Sequence, residues 1–260
     1  MSRRSLIPGL GLIYRLYTRR LKGQVDGKNH PRHIGLILDG NRRWAKARLE
    51  SSSQGHRAGA DKIHEFLTWC DDQGVEVVTL YLLSTDNIAG RDEKELDALC
   101  EIIEALADQL SRFRNWRVRH VGHRDALPES LLGQLDAAEA RTATNSGLNV
   151  NLAVGYGGRQ EITEAVRRLV TSYESSGGDL AGLAETISVD SIADHLYTEG
   201  QPDLDLVIRT SGEQRLSDFM IWQAAHSEFY FVEALGPDLR EVDFLRAIRD
   251  FGRRQRRFGH

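Results

Sequence analysis

A single α/β domain, with a mostly parallel central sheet of about six strands and helices on both faces, is what this 260-residue chain predicts. Three observations predict it. Short apolar runs of strand length recur at 33–38, 76–83, 116–121, 148–154, 204–209 and 228–232. Segments of helical period separate nearly all of them, and such alternation builds a parallel sheet buried on both faces. Polar clusters follow the carboxyl ends of four of these runs, where an open parallel sheet presents its binding crevice. The length suits one large core better than two.

The elements follow in order. Residues 10–22 read as an amphipathic helix, with Leu12, Ile13, Leu16, Tyr17 and Leu21 opposite Arg15, Arg19, Arg20 and Lys22. It suits packing on the domain, and it could also lie on a membrane surface. We therefore take 1–30 as a basic amphipathic N-terminal segment and 31–260 as the domain proper. Ile34 to Leu38 is uniformly apolar, as a strand buried on both faces must be. Gly40 turns the chain into a helix at 41–49, with Asp39 or Asn41 placed to cap it. A polar loop at 50–54 precedes helix 56–73. The second strand leads to the helix 92–113, the third to 128–143, and the fourth to the glycine-rich turn before 160–173. A loop at 175–179, a helix at about 189–197, the fifth strand, a helix at 218–226, the sixth strand and a helix at 241–256 complete the chain.

Composition excludes several classes. Two isolated cysteines, Cys70 and Cys100, are too few for a disulfide scaffold or a cysteine metal site, and they fit a reducing cytoplasm. Pro8, Gly9, Gly11 and Arg15 break the apolar stretch near the start, so no signal peptide is expected. No run approaches the ~18 apolar residues of a membrane span. The net charge of −4 hides basic ends. Residues 1–30 carry seven Lys/Arg against Asp26, and 246–260 carry six Arg against Asp250. That pattern suits an anionic partner (a diphosphate, a membrane surface or a nucleic acid), or simply solvated arginine-rich helices. The acidic middle of the chain argues against nucleic acid.

The four polar clusters are Asp39-Gly40-Asn41-Arg42-Arg43, Ser84-Thr85-Asp86-Asn87, Gly155-Tyr156-Gly157-Gly158-Arg159, and Arg209-Thr210-Ser211-Gly212-Glu213 with Arg215 and Ser217. Guanidinium groups, hydroxyls, amides and glycines are what diphosphate oxygens require. Gln54-Gly55-His56-Arg57-Ala58-Gly59 is a further candidate anion cradle, placed at the start of helix 56–73. Asp39 and the distant Glu228 are candidate Mg²⁺ ligands, because hard cations take carboxylate oxygens. There is no Walker A motif, no G-x-S-x-G elbow and no His pair at i, i+4. A phosphatase-like hydrolase with Asp39 as nucleophile would want a second Asp where Asn41 stands.

These motifs, from about His30 to the C-terminus, resemble the cis-prenyltransferases, the undecaprenyl diphosphate synthase family, and within it the actinobacterial short-chain Z-farnesyl diphosphate synthases. The resemblance rests on His33-Ile34, Asp39-Gly40-Asn41-x-Arg43-Trp44-Ala45, Gly55-His56-x-x-Gly59, Leu83-Ser84-Thr85-x-Asn87, Asn151-x-Ala153-x-Gly155-Tyr156-Gly157-Gly158 and Asp205 to Ser217. Trp222-Gln223, Glu228 and Arg256-Arg257-Phe258-Gly259 complete it. Departures are Leu49 and Ser52 where Gly and Arg are usual, Asp86 for Glu, Ile88 for an aromatic, Arg91 one residue late, and His226 for Tyr.

The resemblance implies an apolar tunnel in the fold, a homodimer, and a reaction that joins isopentenyl diphosphate to an allylic diphosphate. Asp39 would be catalytic, coordinating Mg²⁺ between the two diphosphates, with Glu228 approaching the metal. Gly40, Asn41, Arg42, Arg43 and His56 would hold the allylic diphosphate. Arg209, Arg215 and Ser217 would hold that of isopentenyl diphosphate. Arg257 and Gly259 would reach a diphosphate across a dimer interface. Asn87, with Ser84, would assist removal of the C2 proton, although a neutral amide is a poor base. Trp44, Thr85, Asp86 and Arg91 complete the candidate substrate-binding set, with packing the competing role for Trp44. Leu82 stands where long-chain relatives carry a small residue, and period-2 alternation puts it on the face of Ser84. That implies a short product, C15 from geranyl and isopentenyl diphosphate, with dimethylallyl diphosphate as an alternative primer. A catalytically silent subunit of a prenyltransferase complex, and longer-chain or head-to-middle products, remain the alternatives.

Overall fold

The computed structural model describes residues 10–25 and 29–254, apart from the side chains of Leu10, Leu12, Leu180 and Ala181. Six strands form one sheet: β1 (His33–Ile37), β2 (Val77–Ser84), β3 (Arg117–Val121), β4 (Asn149–Tyr156), β5 (Leu206–Arg209) and β6 (Glu228–Phe231). Their order is β3-β4-β2-β1-β5-β6. Every pairing is parallel, so the sheet is wholly rather than mostly so. β1 lies inside the sheet and all five of its residues are buried. The chain runs outward from β1 to β2 on one side and later returns to β5 on the other. The crevice at the carboxyl end of β1 is therefore the switch point at which such sheets bind ligands.

Ten helices accompany the strands among the described residues: α1 (Leu10–Lys22), α2 (Asn41–Ala47), α3 (Ser52–Asp72), α4 (Thr85–Gly90), α5 (Glu93–Ser111), α6 (Glu129–Thr142), α7 (Gly158–Ser175), α8 (Leu180–Thr186), α9 (Val189–Ala193) and α10 (Glu241–Arg253). One core, on the face covered by α3, α5, α6 and α10, contains Leu36, Phe66, Leu80, Ile103, Leu131 and Phe244. The other face buries Ile37, Ala153, Tyr156, Val207, Phe219 and Met220.

Several boundaries differ from the sequence-based expectation for local reasons. α3 starts at Ser52 rather than 56, because Ser51 and Gln54 form a reciprocal capping box. Ser84 and Asp179 cap the short helices α4 and α8, which lack enough apolar residues to show a period. α9 stops at Ala193, four residues short of its expected end. α2 has no side-chain cap; Gly40 occupies that position at φ 94°, and Asn41 is already helical. The expected helix at 218–226 is a run of turns, since Ser217, Asp218 and Met220 all have positive φ.

α1 lies on α10. Leu21 and Thr18 face inward, Lys22 meets Glu241 at 2.6 Å, and the Arg246 guanidinium lies 5.3 Å from the centre of the Tyr17 ring. Packing on the domain is thus one use of this helix, although Ile13 and Leu16 remain 65% and 59% exposed. Leu12 lies outside the described side chains. His33 is a satisfied core histidine: its ring nitrogens meet the Pro202 carbonyl at 2.7 Å and the Thr79 hydroxyl at 2.8 Å, and burial pushes its pKa down to about 4. Asp71 and Asp72 end α3, where they bind Arg114, so their role is structural.

Candidate active site

The turn after β1 brings Asp39 beside β5. Its Oδ1 accepts the Gly40 N–H at 2.7 Å, and its Oδ2 accepts Arg209 Nη2 at 3.0 Å. The Arg209 side chain is only 4% exposed, so its charge must be met by protein groups. Nη1 donates to Ser217 Oγ at 2.8 Å and to the Arg215 carbonyl. The Thr210 hydroxyl donates to the Asp39 carbonyl at 2.7 Å, tying the two strand ends together. Arg43 donates to Ser211 Oγ at 2.7 Å, and Glu213 sits between Arg43 at 3.5 Å and Arg215 at 2.8 Å.

α2 is held down by missing side chains. A Cβ on Gly55 would lie 2.3 Å from the Asn41 carbonyl oxygen, and one on Gly59 would lie 2.8 Å from Asn41 Oδ1. These glycines let α3 touch the first turn of α2 and bring His56 to the site. The backbone does not form the expected anion cradle there, because Gly55 N–H is spent inside α3 on the Ser51 carbonyl. His56 contributes its ring. Burial first, and then the charge of Arg91, hold its pKa below the ordinary 6.5.

A second network faces this one. Asn87 Nδ2 donates to Ser84 Oγ at 2.6 Å, and Asn87 Oδ1 accepts Arg91 Nε at 2.9 Å and Nη2 at 2.6 Å. Glu95, in the first turn of α5, meets Arg91 at 2.8 Å, His56 at 3.6 Å and Arg42 at 3.9 Å. Sequence reasoning missed Glu95, since an acidic residue in a first helical turn is ordinary. Arg91, the C-cap of α4, reaches back four residues to Asn87.

Both networks border one cavity of about 680 Å³. Of the expected residues it brings together Asp39, Gly40, Asn41, Arg42, Arg43, His56, Leu82, Ser84, Asp86, Asn87, Arg91, Arg209, Arg215 and Ser217. Five guanidinium groups line it against three carboxylates, those of Asp39, Asp86 and Glu213. Its remaining wall is apolar, from Leu38, Ala60, Ile63, Leu99, Ile102, Ile103 and Leu106. Leu82 and Ser84 both line it, but so does Leu83, because the β2–β4 register shifts on either side of Leu83 and breaks the alternation.

Other expected residues are not brought here. Thr85 points at Gly157, where a Cβ would stand 2.8 Å from its hydroxyl. Trp44 lies under the Arg48 guanidinium at 3.9 Å, a packing role. The Gly155 cluster lines no part of the cavity. Glu228 opens β6 at the opposite, amino-terminal end of the sheet, paired in register with Leu206 and bound to Arg254, so it does not reach Asp39 of its own chain. Arg257 and Gly259 lie outside the described residues. A second cleft of about 510 Å³, by Arg119, His123 and Glu164, holds none of the expected site residues, and His123 and Glu164 pair with each other at 2.5 Å.

Among the described residues no three His, Cys, Asp or Glu side chains gather as a metal cage. The donor set does fit Mg²⁺, which takes one or two carboxylates and completes its shell with water and substrate phosphates. Asp39 is 36% exposed, and its two protein bonds leave acceptor sites on both oxygens.

The chain is similar to known proteins over nearly its whole length. The prenyltransferase family model for undecaprenyl diphosphate synthase matches residues 37–259. Isoprenyl transferase 1 of Streptomyces avermitilis is 54% identical over 249 residues, covering 96% of each chain. The (2Z,6E)-farnesyl diphosphate synthase of Thermobifida fusca is 55% identical over 248 residues, covering 95% of this chain and 97% of that one. The crystal structure of lavandulyl diphosphate synthase from Lavandula x intermedia, in complex with dimethylallyl diphosphate, has a TM-score of 0.83 at 33% identity, covering 90% of this chain and all of the other.

If the cavity binds diphosphate beside His56, a bound polyanion should favour the charged ring. The His56 midpoint, followed by NMR, should lie below 6.5 in the free protein and move up when inorganic diphosphate is added. A midpoint unmoved by diphosphate would contradict this site.

Proposed function

Because the chain belongs to the undecaprenyl diphosphate synthase family of prenyltransferases, we propose that it is a short-chain cis-prenyl diphosphate synthase. In this reading it joins one isopentenyl diphosphate to geranyl diphosphate, or two in turn to dimethylallyl diphosphate, and makes a Z-configured product, C15 farnesyl diphosphate. The observation that carries the reading is one cavity that combines five guanidinium groups at the strand ends with an apolar wall containing Leu82. The name of the Thermobifida fusca relative supports the same product length. A silent subunit is the weaker reading, since Asp39, Asn41, Arg43, Asn87, Arg209, Arg215 and Ser217 are all retained.

Gly40, Asn41, Arg42, Arg43 and His56 hold the allylic diphosphate, and Arg209, Arg215 and Ser217 hold the other. The reaction breaks the allylic C1–O bond, joins C1 to C4 of isopentenyl diphosphate, removes a C2 proton and releases diphosphate. Negative charge grows on the leaving oxygen as the C1–O bond breaks. Fixed cations around it therefore bind the transition state better than the ground state. Mg²⁺, held by Asp39, would supply further positive charge to the diphosphate oxygens. Asn87 is an orienting group rather than the base, because its oxygen already accepts two N–H bonds from Arg91. The released diphosphate takes the proton while Ser84 and Asn87 hold the acceptor substrate against the allylic carbon.

The chain acts as a homodimer in this account. β6 is an edge strand of the sheet, and its partly buried Phe229 and Phe231 rings stack 6.2 Å apart, which supports a second copy covering that edge. Such a copy would also give Glu228, Arg257 and Gly259 a partner's cavity to serve. Exposed Ile13 and Leu16, beside Arg19 and Arg20, support peripheral contact with the cytoplasmic face of a membrane. No helix of the described residues is long and apolar enough to cross one.

Two substitutions test the reading. Asp39→Ala should lower turnover by about 10³-fold or more, a loss of ~4 kcal/mol of transition-state stabilisation, with an unchanged circular dichroism spectrum. Near-normal turnover would remove Asp39 from the chemistry. Leu82→Ala should lengthen the products resolved by chromatography, because it opens space along the apolar wall. Unaltered product length would assign the limit to another residue, with Leu99 and Ile103 next in line.

A further inference from the structure

The glycine turn at 155–158 has the look of a ligand cradle, yet it lines no part of the catalytic cavity. What it meets instead is Asp218. Gly157 stands at the N-cap of α7 and offers no side chain. The Asp218 carbonyl accepts the Gly158 N–H at 2.8 Å, and its carboxylate accepts the Arg159 N–H at 3.2 and 3.5 Å. Asp218 thus caps α7 from a distant loop, satisfying donors that a helix start otherwise leaves open. The approach is possible only without side chains: a Cβ on Gly157 would sit 3.0 Å from Asp218 Oδ2, and one on Gly158 would sit 2.8 Å from the Asp218 carbonyl oxygen.

The loop so anchored is a strained one. Ser217, Asp218 and Met220 have φ of 54°, 61° and 45°, a region that side chains disfavour, so something must hold them there. Phe219 and Met220 are fully buried and pin one end. Immediately before Asp218, Ser217 accepts Arg209 on its hydroxyl at 2.8 Å and Tyr81 on its carbonyl at 3.0 Å. The Arg215 carbonyl accepts Arg209 as well. A continuous chain of bonds therefore runs from the start of α7 through Asp218 and Ser217 to Arg209 and Asp39.

We propose that Asp218 is a positioning residue for isopentenyl diphosphate: by capping α7 it fixes the left-handed loop that carries Arg215 and Ser217 and sets the geometry of Arg209. The inference rests on the functional reading above and goes beyond it by assigning the glycine turn a mechanical role. Asp218 touches neither α2 nor α3, which carry most of the allylic diphosphate groups, and the loop meets α2 at Ser211 and Glu213, well before Asp218, so the effect should fall mainly on isopentenyl diphosphate.

Steady-state kinetics on the full chain test this, varying isopentenyl diphosphate and geranyl diphosphate separately. Asp218→Ala could simply unfold the loop, so the decisive variant is Asp218→Gly, which removes the carboxylate while freeing the backbone to keep its positive φ. It should raise the KM for isopentenyl diphosphate by about 10- to 100-fold, leaving the KM for geranyl diphosphate and the melting temperature near wild type. Asp218→Asn, which keeps an acceptor for the Arg159 N–H, should restore the KM to within about threefold. An unchanged KM for isopentenyl diphosphate in Asp218→Gly, or KM values that rise together for both substrates, would overturn the proposal while leaving the functional reading intact. A wild-type protein that incorporates no isopentenyl diphosphate would overturn both.

Discussion

The ion pair between Asp39 and Arg209, 3.0 Å across the carboxyl ends of β1 and β5, is the constraint on which the rest of the site depends. Arg209 is the last residue of a strand buried along its whole length, and it pairs in register with Ile37. A guanidinium in that position is tolerable only if carboxylate and carbonyl oxygens surround it. That demand draws in Asp39 from one strand end and closes the 210–220 loop over the other, through Ser217 and the Arg215 carbonyl. Arg43 and Glu213 fasten the same loop to α2. Loop closure, charge placement and the floor of the crevice are consequences of one buried cation.

From this constraint follows the division of the cavity. Strand ends and helix starts supply polar groups at one end, while α3, α5 and the flank of β2 supply aliphatic side chains at the other. A diphosphate joined to a hydrocarbon needs both, in that order, within one continuous space. The polar end carries more guanidinium groups than carboxylates, so it favours an anion. Glu95 moderates that excess: by meeting Arg42, His56 and Arg91 it keeps three positive or protonatable groups close together, which would otherwise repel.

Much of this arrangement is legible in the amino-acid sequence. The apolar run ending in Asp39 has to be an interior strand, and clusters at successive strand ends have to converge once the sheet is parallel. Legibility fails where tertiary contacts override local pattern. Residues 218–226 read as a helix in the sequence, but Ser217, Asp218 and Met220 have positive φ, Asp218 caps α7 instead, and no helix forms. The glycines at 157 and 158 resemble a phosphate loop, yet their lack of side chains serves the approach of Asp218. Chemistry alone pairs Glu228 with Asp39, although sheet direction puts them at opposite ends of the strands. Thr85 shares a motif with Ser84 and Asn87, but α4 turns it toward Gly157.

The account stands or falls on chain growth at this cavity. Incubating the full chain with Mg²⁺, labelled isopentenyl diphosphate and geranyl diphosphate, then separating the products by chromatography against Z and E standards, tests it directly. The account predicts a single C15 diphosphate with a new Z double bond and one equivalent of released diphosphate. Release of inorganic phosphate without chain growth, or label recovered only in long polyprenyl chains, would contradict it.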